Sequence, residues 1–246
     1  MRVKSLERAF AVLAGATVLA GWAAMAGAQT CPAPLEDAKR LALATAETMD
    51  EESVLLELFV RDRPGAPWRR LGAPRKAVIG RAGMGWGLTF QRFGRAGEPV
   101  KREGDKRTPA GFFRIGASFG FEASERPGHV VLKRDETICV DDVRSPAYNT
   151  IRSRSEIGPK VSGENMRTYQ IYRHGLFVDY PSSRKARAGS CIFLHLMPQS
   201  GRGTLGCVAT DEMTLLGLQE FAEPGAVLGV VPRNALDRFG GCFPGL

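Results

Sequence analysis

The sequence is poor in the groups that most often carry metal or phosphate chemistry. Its 246 residues hold three histidines, His129, His174 and His195, and five cysteines. There is no His-Glu-x-x-His and no Cys-x-x-Cys, and zinc takes at least three protein ligands, so no resident metal is expected. A phosphate loop is missing too. The nearest pattern, Gly83-x-Gly85-x-Gly87 around Trp86, runs into Leu88-Thr89-Phe90 rather than opening a helix, and it reads as a loop. No cofactor is expected. No repeat, low-complexity tract or linker divides residues 53–233, and no nucleic-acid-reading motif is present, which leaves nucleic acid out of the expected partners.

What the chain does have begins at its N-terminus. Arg2, Lys4 and Arg8 precede an apolar run over 9–25 that ends in Ala26-Gly27-Ala28. A basic head, an apolar core and small residues at the end have the layout of a secretory signal peptide, with cleavage before Gln29. An uncleaved anchor is the alternative reading, because the run is only slightly short of a membrane span. Export places the protein in the periplasm or cell envelope, an oxidising setting. Loss of residues 1–28 lowers the formal charge of +8 by two, since three basic residues and Glu7 leave together. A modest positive excess outside the cytoplasm suits an acidic polymer such as cell wall or anionic lipid. Cys31, Cys139, Cys191, Cys207 and Cys242 all survive the cut. Five is odd, so at least one thiol has no partner within the chain.

Leu35, Ala38, Ala42, Ala46 and Met49 recur at helical spacing behind Pro34, predicting a short helix within segment 29–52. From Ser53 the period changes to two, as Val54, Leu56, Leu58 and Val60 alternate with their neighbours. Further strands are predicted at 76–81, 111–115, 129–133, 167–172, 176–180, 189–197 and 226–231, and a second helix at 212–221 started by Asp211. The fold class is therefore mainly β with a few short helices. A signal peptide (1–28) and the helical segment (29–52) precede one domain over 53–233, and a loop tail (234–246) follows.

A site built on imidazole must draw on three histidines. His129 opens an apolar strand and His174 sits in a hairpin turn before Gly175, so both read as structural or solvent-facing. His195 differs, because it ends the strand run Gly189-Ser190-Cys191-Ile192-Phe193-Leu194-His195 and a Gly- and Pro-bearing loop follows. Alternation puts Cys191, Phe193 and His195 on one face, with Ile192 and Leu194 on the other. The loop returns to Thr204-Leu205-Gly206-Cys207-Val208-Ala209, so a nucleophile candidate lies twelve residues after a base candidate. A thiol is only a few per cent ionised at neutral pH, so attack on a carbonyl needs a base, and His195 would supply one to Cys207. Glycine before the cysteine lets a substrate approach the backbone and turns amide N–H groups toward one point. With no Asp or Glu between Gly189 and Thr210, the acceptor that orients the imidazole is a backbone carbonyl, such as that of Leu196.

This segment resembles the catalytic motif of the L,D-transpeptidase (YkuD-type) family, a strand histidine followed after a spacer by Ser/Thr-His-Gly-Cys-hydrophobic-Asn/Arg. His195, Thr204, Gly206, Cys207 and Val208 match. Gly104-Asp105-Lys106-Arg107-Thr108-Pro109-Ala110-Gly111 is similar to the family's Gly-Asp-x-x-Thr-Pro-x-Gly, and the two motifs together span most of 53–233. Leu205 stands in place of the motif's second histidine and Ala209 in place of its Asn or Arg. Only eight residues separate His195 from Thr204, a short spacer for the family.

The resemblance implies an L,D-transpeptidase-type β-sandwich or sheet domain. It implies that Cys207 attacks the L,D bond before the terminal D-Ala of a peptidoglycan stem peptide, with His195 as base. Backbone support would come from Gly206, Thr204 and Leu196, with the Gly206 and Cys207 N–H groups on the oxyanion. An amine resolving the thioester makes a transpeptidase. Water makes a carboxypeptidase or other hydrolase, and a scaffold without activity would be a wall-binding module. Arg202, Arg187 and Tyr172 are candidate substrate contacts, with Arg184, Lys185 and Tyr169 near them. Cys207 is expected to be the reduced thiol, with the other four cysteines available for disulfides.

Overall fold

Val54 and Leu56 are buried while Leu55 between them is exposed, the alternation of a strand with one face on a core. A computed structural model describes residues 31–243 and places this segment in a large sheet. In chain order the elements are α1 (Ala33–Glu36), β1 (Arg40–Ala46), β2 (Ser53–Val60), β3 (Arg69–Val78), β4 (Met84–Trp86) and β5 (Thr108–Gly120). Then come β6 (Val130–Val131), β7 (Thr137–Cys139), β8 (Ile151–Ser153), α2 (Arg154–Ile157) and β9 (Glu164–Asn165). The chain continues through β10 (His174–Asp179), β11 (Phe193–Leu196), β12 (Val208–Thr210), α3 (Glu212–Phe221) and β13 (Val227–Pro232). The protein is mainly β with few short helices. The signal-peptide reading of 1–28 lies outside the described residues.

The main sheet closes on itself. Strand order runs β10-β11-β12-β3-β2-β1-β13-β5, and β5 pairs back onto β10, giving an eight-stranded barrel rather than two facing sheets. Closure pairs the outermost strands with each other and so removes their free edges. The β1–β13 and β11–β12 neighbours are parallel and the rest of the ring is antiparallel. Short strands β4 and β6 run parallel to β5, and β8-β7-β9 form a separate small sheet.

Two apolar clusters divide the interior. The larger takes Leu194 and Leu196 of β11, Val208 of β12 and Leu215 and Leu218 of α3. The smaller holds Phe119, Leu132, Cys139, Met166, Tyr172, Phe193 and Cys207. Strand β11 thus separates the two clusters: Phe193 faces the one that contains the candidate nucleophile, and Leu194 faces the other.

Four local expectations are corrected. The helix over 35–49 is only α1, followed by β1, where every residue from Leu41 to Ala46 is buried. Its Leu and Ala carry helix propensity, but β2 and β13 pair with the two edges of this strand and both of its faces are buried, so pairing overrides propensity. The strand over 167–172 is instead two 3-10 turns, Met166–Thr168 and Gln170–Tyr172, which tuck Met166 and Tyr172 into the smaller cluster. The Gly83–Gly87 stretch contains β4, because Met84 to Trp86 pairs in parallel with Thr108 to Ala110. Part of the C-terminal tail is a 3-10 turn, Arg233–Phe239, packed on β13. It leads to Cys242, which is disulfide-bonded to Cys31; Cys139 bonds Cys191, and Cys207 is free.

Candidate active site

His195 and Cys207 reach one cleft because β11 and β12 are parallel. Leu194 pairs with Val208 and His195 with Ala209, so Cys207, one step before Val208, stands beside Phe193. The N–H of Phe193 donates to Cys207 Sγ at 3.3 Å, and the thiol donates to the Cys191 carbonyl at 3.3 Å. Paired residues of parallel strands share a face, which puts His195 diagonally across from Cys207. Both line a cleft of about 630 Å³ whose walls include Tyr169, Tyr172, Glu164, Asp141, Glu103, Arg81 and Lys106.

The imidazole orientation is fixed by the backbone. His195 Nδ1 lies 2.7 Å from the Leu196 carbonyl oxygen, and since a carbonyl only accepts, Nδ1 carries the proton and Nε2 is the lone-pair nitrogen. That is the tautomer a base needs. Tyr172 packs its ring edge-on to the imidazole, with centroids 5.2 Å apart. Burial lowers the His195 pKa to about 4, against a smaller raising effect of the Leu196 hydrogen bond, so the ring is neutral at physiological pH.

The thiol is held neutral as well. Burial pushes the Cys207 pKa up to about 12, the charge of Glu164 pushes the same way, and the Phe193 N–H, Lys101 and Tyr172 oppose it. The cleft therefore holds a neutral thiol and a neutral imidazole, each kept so mainly by burial.

The turn that carries Cys207 is tied down by hydroxyls. Thr204 Oγ1 donates to the Cys207 carbonyl at 2.7 Å and accepts the Gly206 N–H at 3.0 Å. Thr108 Oγ1 also donates to the Cys207 carbonyl, at 3.2 Å, and accepts the Gly80 N–H at 2.8 Å. The Thr-Pro segment is therefore part of the site, 99 residues away from the carbonyl that it holds. Backbone bonds from Thr204 N–H to Ile79 O and from Arg81 N–H to Thr204 O fasten the loop to the end of β3. Gly206 has φ +153°, a region that L side chains rarely adopt. The Gly206 N–H, expected to hold an oxyanion together with that of Cys207, is instead spent on Thr204 Oγ1.

Other expected residues fall differently. Tyr172 is buried in the cleft wall and donates through its hydroxyl to Glu164 at 2.9 Å. Arg202 and Arg187 are exposed and do not line the cleft; the Arg187 carbonyl instead accepts the Glu103 N–H. Arg184 and Lys185 also lie outside it, and their places as cationic groups are taken by Arg81 and Lys106. Leu205, where the resemblance has a second histidine, is 68% exposed at the cleft rim. His129 is held by Ser118 Oγ at 2.8 Å and the Glu122 carbonyl at 3.0 Å, and His174 faces Glu212 at 3.4 Å.

Two contributors escaped the sequence. Glu164 sits in the stretch Gly163-Glu164-Asn165, which carries no pattern, and Lys101 precedes the Gly-Asp segment as one more basic residue among several. A larger cavity of about 900 Å³ lies behind the Cys139–Cys191 disulfide, with Cys139 on its wall and Cys191 on the wall of the cleft that holds Cys207. Its lining is mainly aromatic and aliphatic, from Phe90, Phe113, Phe177 and Val178, and it holds neither His195 nor Cys207.

Barrel and cleft together define a mainly β protein in which a buried thiol and a buried imidazole line one cleft. Neither a family model nor a curated protein matches the chain. Among solved structures, that of Bdellovibrio bacteriovorus Bd1075 is similar with a TM-score of 0.41 and 16% sequence identity, over 82% of this chain and 54% of that one. The chain thus spans about half the length of that protein.

Proposed function

We propose that the protein is an exported cysteine acyltransferase of the L,D-transpeptidase type, acting on peptidoglycan stem peptides. The observation that carries this reading is the free Cys207 in one cleft with His195, whose Nδ1 is committed to Leu196 so that Nε2 is the basic nitrogen. The pair supports acyl transfer through a thioester. Cys207 Sγ loses its proton to His195 Nε2 as it attacks the carbonyl of the L,D bond. The Cys207 N–H takes the oxyanion, and His195 returns the proton to the departing D-Ala amine. A second amine then attacks the thioester carbonyl and passes its proton to His195; the C–S bond breaks, the new amide leaves, and His195 returns the proton to the Cys207 sulfur.

Two further features agree with this reading. The cleft has both signs of charge, Arg81 and Lys106 against Glu103, Asp141 and Glu164, which suits a peptide bearing carboxylates and an ammonium. Two disulfides suit an oxidising compartment such as the periplasm. The finer fold assignment, a divergent L,D-transpeptidase domain, rests on the His195 and Thr204-to-Val208 motif. Water as acceptor gives the hydrolase alternative on the same residues, and a silent scaffold gives a wall-binding module.

Incubation of the purified protein with tetrapeptide muropeptides and analysis of the products tests the reading. Cross-linked dimers and released D-Ala are expected. Free tripeptides without dimers would establish the hydrolase instead. Unchanged substrate, in a protein that still sediments with peptidoglycan, would favour the binding module.

A further inference from the structure

Lys101 is a buried cation that the mechanism above leaves unused. Its side chain is 3% exposed, and Nζ donates to Asp105 Oδ1 at 2.5 Å and to the Arg102 carbonyl at 2.7 Å. Asp105 is pinned in turn, accepting the Arg102 N–H at 2.6 Å and the Arg107 N–H at 2.9 Å. Burying such a pair adds little stability over well-packed apolar residues, because both ions lose their hydration. A reason other than stability is needed for the charge.

The path of the side chain supplies one. Gly189 makes room for it, since a methyl group there would sit 2.6 Å from Lys101 Cε, and Nζ ends 4.0 Å from where a methyl group on Gly206 would be. The ammonium therefore lies against the Gly206–Cys207 turn, on which sulfur and oxyanion charge develop. Charged and titratable groups face Cys207 from every side. Glu164 of β9 and Tyr172 come from the small-sheet side, neutral His195 comes from β11, and Lys101 comes from the segment before β5; Glu103, Asp141, Arg81 and Lys106 line the outer cleft. Lys101 is the cation that opposes the burial and the Glu164 charge acting on the thiol.

We propose that Lys101 is a positioning residue for Cys207, its ammonium held by Asp105 behind the Gly206–Cys207 turn so that negative charge on the sulfur and the attacked oxygen forms at lower cost. This rests on the reading of Cys207 as nucleophile. It also accounts for both ends of the second motif, since Asp105 aims the lysine while Thr108 holds the Cys207 carbonyl.

The test is the rate of Cys207 alkylation by iodoacetamide against pH, read by intact mass on the full chain. The variants are Lys101→Arg and the double change Lys101→Met with Asp105→Asn, which leaves neither ion buried alone. In the double variant the rate near neutral pH is expected to fall about tenfold, with the profile displaced about one pH unit upward. Lys101→Arg, which keeps a cation, is expected to stay within about threefold of the parent. Coincident profiles for the parent and a folded double variant overturn the proposal, as does Lys101→Arg reacting as slowly as the double variant. Circular dichroism establishes folding, and if the double variant does not fold, Lys101→Gln is read against the same two criteria. Because alkylation needs no wall substrate, coincident profiles leave acyl transfer standing, and a failed muropeptide assay leaves this result standing.

Discussion

The N–H of Phe193 donates to the sulfur of Cys207 across 3.3 Å, from a strand to the turn that enters its parallel neighbour. The bond belongs to the register of β11 on β12, and so the barrel itself, more than the loop between them, places the Cys207 sulfur. The same register puts His195 opposite Ala209 and leaves the imidazole on the cleft side. Variants that loosen the turn or the wall behind the sulfur should therefore reduce reactivity more than they reduce stability.

Thr204 is the clearest such position. Replacing it with Val removes both the hydroxyl that supports the Cys207 carbonyl and the acceptor of the Gly206 N–H. Loss of two buried hydrogen bonds is expected to cost about 1–3 kcal/mol of stability. Acyl transfer should drop at least tenfold, because the turn no longer holds the sulfur and the Cys207 N–H toward one point. Denaturant unfolding beside steady-state rates checks the pair of values; equal small losses in both would place Thr204 in the scaffold alone.

Stability against pH follows from the two buried groups, with opposite signs. His195 titrates at about 4 in the fold against an ordinary 6.5, so the unfolded chain takes up the proton first. Its neutral-ring contribution is present above about pH 6.5 and is lost as pH falls toward 4. Cys207 is pushed from 9.0 to about 12, so the unfolded chain ionises first and stability is lost as pH rises above 9. Each group adds a slope of at most about 1.4 kcal/mol per pH unit. Melting curves of the parent and Cys207→Ala should diverge above about pH 9, with the variant relatively steadier. Parallel curves through that range would mean that the thiol is not held neutral.

The Cys139–Cys191 disulfide closes a separation of 52 residues, and the Cys191 carbonyl accepts the Cys207 thiol proton. Cys191 itself has φ +56°, and its N–H is held by Asn149 Oδ1 at 3.0 Å. Removal of both cysteines as Ser is expected to cost about 4 kcal/mol by the loop-entropy estimate, and to reduce activity beyond the unfolded fraction. Measuring the rate per folded molecule below the melting transition separates the two effects. A full rate in the folded fraction would confine the disulfide to a structural role.

Residue types and short spacings carried much of the site, while long-range contacts did not. His195, Cys207 and the Leu196 acceptor follow from one stretch of sequence, since a strand end, a loop and a Gly-Cys turn are local features. Thr108 and Lys101 become part of the site only because the fold brings the start of β5 to the turn that enters β12, and no periodicity encodes that meeting. Arg202 and Arg187 show the converse, being close to the motif in sequence yet outside the cleft in space. For the fold, β2 was legible from its alternation. β1 was not, because a strand covered on both faces has no polar side, and its Ala and Leu then imitate a helix.

Intact-protein mass spectrometry after incubation with a carbapenem, a strained acyl donor suited to this class of thiol, probes Cys207 as the nucleophile. One covalent adduct is expected, mapping to the peptide that contains Cys207, absent from Cys207→Ala and formed about 100-fold more slowly in His195→Asn. An unmodified Cys207, together with full muropeptide activity in Cys207→Ala, would contradict the mechanism.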